Sequence, residues 1–423
     1  MDINNNYGYP PQEETQAYGK LQIKVLCELG SRPIDTATVQ IYRKEDPNTI
    51  LYTLDTDSSG IVNEVILPAP PAKYSMAPSE NQPYSEYILV FSAPGLQTVL
   101  IDGVQILPDV TAIQKVSLPR LEDRDSDSRI IIIKPHLLFY SYPAKIPEAD
   151  VKPEAETGIE NPVVIPNFIT VHDGSPADST SKNYIVEFRD YIKNVVSSQI
   201  YATWPSESIF ANVLATLSFT LNRYYTNWYR NKGYDFDITS STAHDQLWIY
   251  GRPVYLNISL AVDYIFNYFL ARPEILQPIL TQICTGNNTD CPGMMPLWGS
   301  KDLGAAGYQA LDILRRYYGN DIYISSSDDI RGIPYPWPGY AIKLNSSGDE
   351  VKQIQEELEI LSRIYIRIPV TVTDGYFGPI TEDAVKGFQE IFNYPVTGII
   401  DAATWYGISQ QYGSILSGRD ICV

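Results

Sequence analysis

A proline-rich segment near the C-terminus constrains the fold of this chain more than any other feature. In the run Gly332–Gly339, prolines occupy positions 334, 336 and 338. Proline donates no backbone hydrogen bond and fixes φ, so neither a helix nor a central strand can continue through such a run. The run predicts a stiff linker at 331–339, with a separate module behind it.

The sequence pattern in the first third of the chain indicates a series of short strands. Apolar and polar residues alternate, and the turn Thr56–Gly60 places Asp and Ser beside a glycine that supplies positive φ. This pattern predicts an all-β sandwich over 19–120. The alternating apolar residues include Leu21, Ile23, Val25, Val39 and Ile41.

Three segments carry a resemblance in this region: Arg32–Val39, Thr56–Gly60 and Tyr87–Gly95. Together they resemble the carboxypeptidase-regulatory-like (transthyretin-like) sandwich. The resemblance implies a structural or adhesive domain.

Helical periodicity dominates the rest of the chain. It predicts helices starting near Asn183 and after Trp204-Pro205, then over Val254–Leu270 and Leu311–Tyr318. In the last module, Thr381 and Asp401 are expected to be helix N-caps. The fold class is therefore multidomain, with an all-β sandwich, an α+β middle domain and a small all-α C-terminal helical bundle. The predicted boundaries are 1–18 (flexible arm), 19–120, 121–165 (charged and Pro/Glu-rich linker), 166–330, 331–339 (proline linker), 340–412 and 413–423 (tail).

The C-terminal module is similar to the small peptidoglycan-binding domain of cell-wall hydrolases. The similarity rests on Asp374–Thr381, Phe388-Gln389, Val396–Asp401 and Thr404-Trp405. Aromatic residues at helical spacing usually pack inside, so Phe377, Phe388 and Trp405 are expected in the core. The resemblance implies peptidoglycan as partner, and we expect Asp374, Tyr376 and Thr381 to contact glycan.

The middle domain resembles the lytic transglycosylase domain of the stage II sporulation protein D family, whose members cleave spore or wall glycan. The resemblance rests on Phe188–Val196, Trp204-Pro205, Thr242–Gly251, Gly293–Gly299 and Leu311–Gly319. It implies a transglycosylase-like α+β fold with a glycan-binding cleft that includes the positions of Gln199 and Trp298.

Gln199 is the main departure from that family, which has a catalytic glutamate a few residues before the Trp-Pro pair. The glutamate gives a proton to the glycosidic oxygen and then acts as base, which requires a titrating group. A carboxamide cannot do this. Glu187, Asp190 and Glu207 are candidate substitutes.

Two further departures fall at site positions of the family. Asp245 stands where the family often has a cysteine beside the residue matched by His244, and Pro296-Leu297 replaces a polar pair before Trp298. A single imidazole does not make a zinc site, so we expect no metal and no other cofactor. The three departures predict a middle domain that has lost catalytic activity.

Cys284 and Cys291 bracket a turn-rich stretch of six residues. This spacing is not a zinc signature and favours a short-loop disulfide, with free thiols as the alternative.

Charge and hydropathy exclude several partners. With 50 acidic and 31 basic residues the formal charge is −19, so nucleic acid and anionic lipid surfaces are not expected as partners. No apolar run is long enough for a membrane span. Met1-Asp2-Ile3 begins no signal-peptide pattern, so we expect synthesis in the cytoplasm, including that of a sporulating mother cell. The expected location is a cell wall, a spore surface or an extracellular assembly.

The preferred interpretation is peptidoglycan binding and structural scaffolding by a non-catalytic protein. An active lytic transglycosylase with a relocated acid is one alternative. A self-assembling structural protein is another, since the 32 tyrosines could supply contacts with further copies or with other spore or wall proteins.

Overall fold

The structure, a computed structural model, describes residues 16–27, 32–121, 128–146, 163–273, 275, 277–287, 291–333 and 335–416. The predicted multidomain class is confirmed: a β-rich N-terminal region is followed by a mixed α/β region and a helical C-terminus. Most of the predicted arm and the Pro/Glu-rich part of the first linker lie outside the described residues.

The N-terminal region is the predicted β-sandwich. The strands of this region are β1 (Ala17–Cys27), β2 (Thr38–Arg43), β3 (Asp46–Asp55), β4 (Ile61–Ala69), β5 (Ser85–Ser92), β6 (Val99–Ile106), β7 (Thr111–Leu118) and β8 (Arg129–Ile132). A further strand, β12 (Val254–Tyr255), comes from the middle region. One sheet has the strand order β12-β7-β1-β4 and the other the order β3-β2-β5-β6-β8.

Alternation of apolar residues builds the sandwich core. In β1 the inward residues Leu21, Ile23 and Val25 are fully buried, as expected for a period of two. The predicted turn before β4 is present. Asp57 Oδ1 accepts the N–H groups of Ser59 and Ile61, and Gly60 has a φ of 69°, which a glycine adopts without a steric penalty.

Both sheets include residues beyond the predicted sandwich boundary. β8, inside the predicted linker, pairs in parallel with β6. Val254 and Tyr255, predicted to begin a helix, pair with β7 instead. The middle region is therefore joined to the sandwich through the backbone of one of its sheets.

The middle region packs helices against small sheets. The prediction of helix from Asn183 is wrong for the first five residues, because Asn183–Glu187 pairs with the strand Phe168–His172. The predicted helix Val254–Leu270 is shorter at both ends, and Leu311–Tyr318 is helical as predicted. The elements are β9 (Phe168–His172), β10 (Asn183–Glu187), α1 (Phe188–Gln199), α2 (Ser206–Tyr225), β11 (Ile238–Thr239), α3 (Leu256–Ile265), β13 (Tyr268–Ala271), β14 (Ile283–Cys284), β15 (Met295–Pro296), α4 (Leu297–Ala305), α5 (Ala310–Tyr318) and β16 (Tyr323–Ser326).

The C-terminal module has three helices in the described residues: α6 (Asp349–Ser362), α7 (Pro379–Phe392) and α8 (Ala402–Leu416). Asp401 caps α8 as predicted, since its Oδ1 accepts the N–H of Thr404 at 2.8 Å. The N-cap prediction for Thr381 is wrong. Helix α7 starts at Pro379, whose fixed φ suits a first helical position, and Gly378 is the N-cap residue.

The proline segment packs against the module. The rings of Trp337 and Trp405 lie 5.8 Å apart, and Trp405 Nε1 donates to the carbonyl of Tyr335 at 3.2 Å. These two contacts hold the segment against the last helix of the module.

Side chains also join the three regions directly. Gln22 of β1 and Asn393 exchange amide hydrogen bonds, and Arg189 of α1 donates to the carbonyl of Tyr406 at 3.0 Å. In the part of the chain that the structure describes, every helix is too short or too polar to cross a membrane.

Candidate functional site

The loop before α7 is an exposed feature of the C-terminal module, and Gln355 holds it in place. Gln355 Nε2 donates to Asp374 Oδ1, to the carbonyl of Tyr376 and to Thr381 Oγ, at 3.0, 2.9 and 3.1 Å. Gln355 Oε1 accepts the N–H of Gly375 at 2.8 Å. One buried amide thus fixes both ends of the loop.

Asp374 and Tyr376 present their polar groups to solvent. Tyr376 is 49% exposed, and its hydroxyl donates to Asn345 Oδ1 at 2.7 Å. The N–H of Tyr376, and then the Gln355 side chain, hold the pKa of Asp374 below its ordinary value. The loop therefore offers a carboxylate and a ring in a fixed relation.

Thr381, the third predicted contact, is only 3% exposed. Its hydroxyl accepts from Gln355 and supports the loop from inside. The predicted core positions Phe377, Phe388 and Trp405 are fully buried, which confirms that prediction.

Gln199 lies at the C-terminal end of α1 and is 3% exposed. The segment around His136 covers the neighbouring backbone. The N–H of Leu137 donates to the carbonyl of Ser198 at 3.2 Å, and His136 Nε2 donates to the carbonyl of Ile200 at 3.2 Å. In this structure a glycan has no direct access to Gln199.

Trp298 is also buried, within a group of aromatic rings. Its ring lies 5.1 Å from Trp204 and 6.1 Å from Tyr201, and Trp204 Nε1 donates to the carbonyl of Ser75 at 2.9 Å. Residues of the N-terminal region thus complete the packing around the family's site positions. Because Tyr201, two residues after Gln199, contacts Trp298, both predicted site positions lie in one buried area.

Each of the three candidate substitute acids forms hydrogen bonds or an ion pair with another part of the fold. Glu187 accepts from Gln410 at 2.6 Å and from Ser414 at 3.1 Å in α8. Glu207 accepts the N–H of Ala310 at 2.8 Å, which caps α5. Asp190 pairs with Lys115 at 3.3 Å. Glu187 precedes α1 and Gln199 ends it, so the two are about 18 Å apart along the axis, at about 1.5 Å per residue.

Asp245 is the centre of a buried hydrogen-bond network. It pairs with Arg223 Nε at 2.9 Å and accepts from the Tyr229 hydroxyl at 2.6 Å and from both the N–H and the hydroxyl of Thr239. Four donors from within the fold thus contact the carboxylate, one at Oδ1 and three at Oδ2. Neighbouring His244 is half-buried.

Cys284 and Cys291 are joined by a disulfide, with their Cα atoms 6.3 Å apart. This is the pairing that the spacing favours. Each cysteine among the described residues is disulfide-bonded.

A cleft of about 540 Å³ where the three regions meet was not predicted from the sequence. Its lining includes Lys24 of β1, Lys115 of β7, Lys193 of α1 and Asn393 of the module. No local pattern marks these residues, because they come together only through long-range packing.

Two solved structures share a partial likeness with the chain. The minor pilin GBS52 of Streptococcus agalactiae is 16% identical, with 27% of this chain and 49% of the pilin covered and a TM-score of 0.18. Catechol 1,2-dioxygenase from Acinetobacter sp. ADP1 is 15% identical, with 29% and 60% covered and a TM-score of 0.19. The chain thus spans about half to three fifths of the length of these proteins.

No curated protein matches the chain. Family models match two parts of it. Residues 177–262 match the model described as "Stage II sporulation protein", and residues 347–406 match the model described as "Putative peptidoglycan binding domain". Together they support cell-wall binding and a sporulation-related role. The chain carries a stage II sporulation protein domain and a C-terminal peptidoglycan-binding domain behind an N-terminal β-sandwich.

Proposed function

We propose that this protein is a non-catalytic peptidoglycan-binding scaffold of a spore wall or cell wall. The module at 347–406 would hold glycan, and the β-sandwich and the middle domain would form a rigid body attached to it. The observation that carries the proposal is the loop fixed by Gln355, because it combines the matched family motif with an exposed, preorganised surface.

The chemistry of that loop suits a wall glycan with its stem peptide. Tyr376 offers a half-exposed ring and Asp374 an ionised carboxylate, which can accept hydrogen bonds from sugar hydroxyls or peptide amides. Because Gln355 already orders both residues, little conformational entropy is lost on binding.

The proposal includes the absence of catalysis, for two reasons: a carboxamide cannot transfer the proton, and a glycan cannot reach its position. Gln199 has no titrating group and lies under the His136 segment. Glu187, Glu207 and Asp190 accept hydrogen bonds or form ion pairs elsewhere. An active transglycosylase remains the rival, and it would need one of these acids to leave its partner.

The disulfide Cys284–Cys291 supports a location outside the reducing cytosol. A spore surface or wall fits that condition.

Co-sedimentation of the full chain with purified, insoluble peptidoglycan tests the proposal. We expect the wild type in the pellet and a chain carrying Asp374→Ala and Tyr376→Ala mainly in the supernatant. Tyr308→Ala is the matched control, since Tyr308 is similarly exposed on the middle domain. A folded wild type that stays in the supernatant contradicts the proposal.

The same incubation distinguishes a non-catalytic scaffold from an active enzyme. Soluble products are analysed by mass spectrometry for anhydro-sugar ends, which lytic transglycosylases leave. We expect none from the wild type, and their appearance would favour the enzyme.

A further inference from the structure

The cleft at the junction of the three regions has the features of a second ligand site. It lies between β1 and β7 of the sandwich, α1 and α3 of the middle region and the end of α7. Its volume of about 540 Å³ is within the range of small-molecule sites. Its lining does not include Gln199 or the loop at Asp374.

Lys24 brings into the cleft an amino group that has no ion-pair partner among the described residues. Its ammonium group donates to the carbonyl of Ile391 at 2.8 Å and lies 5.2 Å from the centre of the Phe392 ring. Lys115 and Lys193 line the same cleft, paired with Asp190 and Asp263 at 3.3 and 2.8 Å.

The local charge balance differs from that of the whole chain. Five basic side chains line the cleft against three acidic ones, while the chain carries −19. The basic groups are Lys24, Lys115, Arg189, Lys193 and Arg252, and the acidic groups are Glu187, Asp190 and Asp263. A half-buried lysine beside two further lysines favours a bound anion.

Aromatic rings and unpartnered polar atoms lie in the same lining. The rings of Tyr184 and Tyr250 stack at 4.8 Å, and Trp248 lies 5.3 Å from Tyr184. The buried Trp248 Nε1 and Ser59 Oγ have no hydrogen-bond partner among the described residues. Buried polar groups are nearly always paired, so these two atoms indicate an incomplete site.

We propose that this cleft binds a soluble muropeptide, a sugar that carries a carboxylate-bearing peptide. Its carboxylates would pair with Lys24 and Lys115, and its sugar would lie against the Tyr184–Tyr250 rings. The inference rests on the proposed wall-binding function and adds to it a second site, for free wall fragments.

The titration of Lys24 adds a pH signature. Burial, and then the charges of Lys115 and Lys193, lower its pKa to about 7, against the opposite effect of Asp190 and Asp263. Glu187, Arg189 and Arg252 complete the charged lining, and burial raises the pKa of Tyr184 and Tyr394 there. Muropeptide affinity should therefore rise as the pH falls from 8 to 6, because Lys24 gains its proton.

Isothermal titration of the full chain with a purified disaccharide-tetrapeptide tests the cleft. All titrations use the background Asp374→Ala, Tyr376→Ala, which disables the loop. In that background we expect Lys24→Met and Lys115→Gln each to weaken Kd about tenfold, equivalent to about 1.4 kcal/mol. Lys20→Gln is the control, since Lys20 lies on the same strand as Lys24 and pairs with exposed Glu64 outside the cleft. Thermal melts verify that each variant is folded.

Separate titrations with the disaccharide, the free peptide and inorganic phosphate identify the recognised part. The proposal requires the complete muropeptide to bind more tightly than each of these. Equal affinity for phosphate, or no effect of the two lysine changes, overturns it. Co-sedimentation of the unmodified chain with insoluble peptidoglycan is measured independently. A result against muropeptide binding in the cleft is therefore distinguishable from a result against the proposed wall binding.

Discussion

The ring of His136 stacks on that of Tyr201, with centroids 4.4 Å apart and an interplanar angle of 28°. Tyr201 is two residues after Gln199, so this contact places the segment following the sandwich directly over the position predicted for the family's acid. Both hydrogen bonds of the imidazole are also defined. Nε2 donates to Ile200, and Nδ1 accepts the N–H of Leu138 at 3.2 Å. The ring is therefore neutral in the folded state.

The first prediction is a loss of stability in acid caused by His136. Burial, and then the charge of Arg252, hold its pKa well below 6.5. Above pH 6.5 both states are neutral, and below it only the unfolded state gains the proton. The free energy of unfolding should therefore decrease by up to about 1.4 kcal/mol for each unit that the pH drops below 6.5.

Urea unfolding followed by tryptophan fluorescence at pH 7.5 and 5 measures this effect. His136→Gln keeps a donor and an acceptor but cannot titrate, so its stability should depend less on pH than that of the wild type. Parallel losses in the two proteins would exclude His136 as the cause.

The second prediction concerns Gln199→Glu. The site is buried, and burial disfavours a charged carboxylate, so the variant should be less stable than wild type. The loss should be larger at pH 8 than at pH 5, because the carboxyl is neutral at the lower pH. Gln199→Met, without a charge, should lack this pH dependence.

No anhydro-sugar products are expected from Gln199→Glu in the intact chain, since the His136 segment blocks access to the new acid. A correctly positioned acid contributes about 10²–10⁴-fold. A rate increase of that size over wild type would show that glycan does reach this position.

The C-terminal module was predicted well because its signals are local. Helical spacing identified Phe388 and Trp405 as core, and Asp401 was recognisable as an N-cap from sequence alone. Thr381 was misassigned because Pro379 starts the helix two residues earlier. The amide of Gln355 uses the threonine hydroxyl instead.

Errors in the middle region arise where pairing is long-range. Residues Asn183–Glu187 look continuous with α1, and only β9 makes them a strand. Val254 and Tyr255 belong to a helical sequence pattern, but they form a strand because they pair with β7, about 140 residues earlier. The cleft is the extreme case, since Lys24 and Ile391 are 367 positions apart. Sequence periodicity carries no information at that separation.

The third prediction is that the Cys284–Cys291 disulfide stabilises the middle region. The sequence separation is 7, and in the chain-entropy model a loop of this size contributes about 2.5 kcal/mol. Replacing both cysteines with serine should lower the unfolding free energy by about that amount. Non-reducing peptide mapping of the wild type should yield one linked peptide, and alkylation of both thiols without reductant would contradict the disulfide.

The fourth prediction is that Glu357→Gln stabilises the C-terminal module. Glu357 on α6 is 2% exposed, and it accepts hydrogen bonds from Gln353 at 3.0 Å and Ser409 at 2.8 Å. Burial raises its pKa above the ordinary 4.5, so folding becomes less favourable as the carboxyl ionises. The two hydrogen bonds go to different carboxylate oxygens, so in a glutamine Oε1 can accept from Gln353 while Nε2 donates to the Ser409 hydroxyl, without the buried charge.

The gain from Glu357→Gln should therefore depend on pH. Below pH 4.5 the carboxyl is protonated in both states, so the variant and the wild type should melt at similar temperatures. The difference should grow as the pH rises through the folded-state pKa and reach its maximum near neutrality. Glu359→Gln is the control on the same helix, because Glu359 forms a more exposed pair with Arg363 that contributes at most about 1 kcal/mol. A lower melting temperature for Glu357→Gln at pH 7 would mean that the ionised carboxylate strengthens the contact with Ser409 by more than its burial costs.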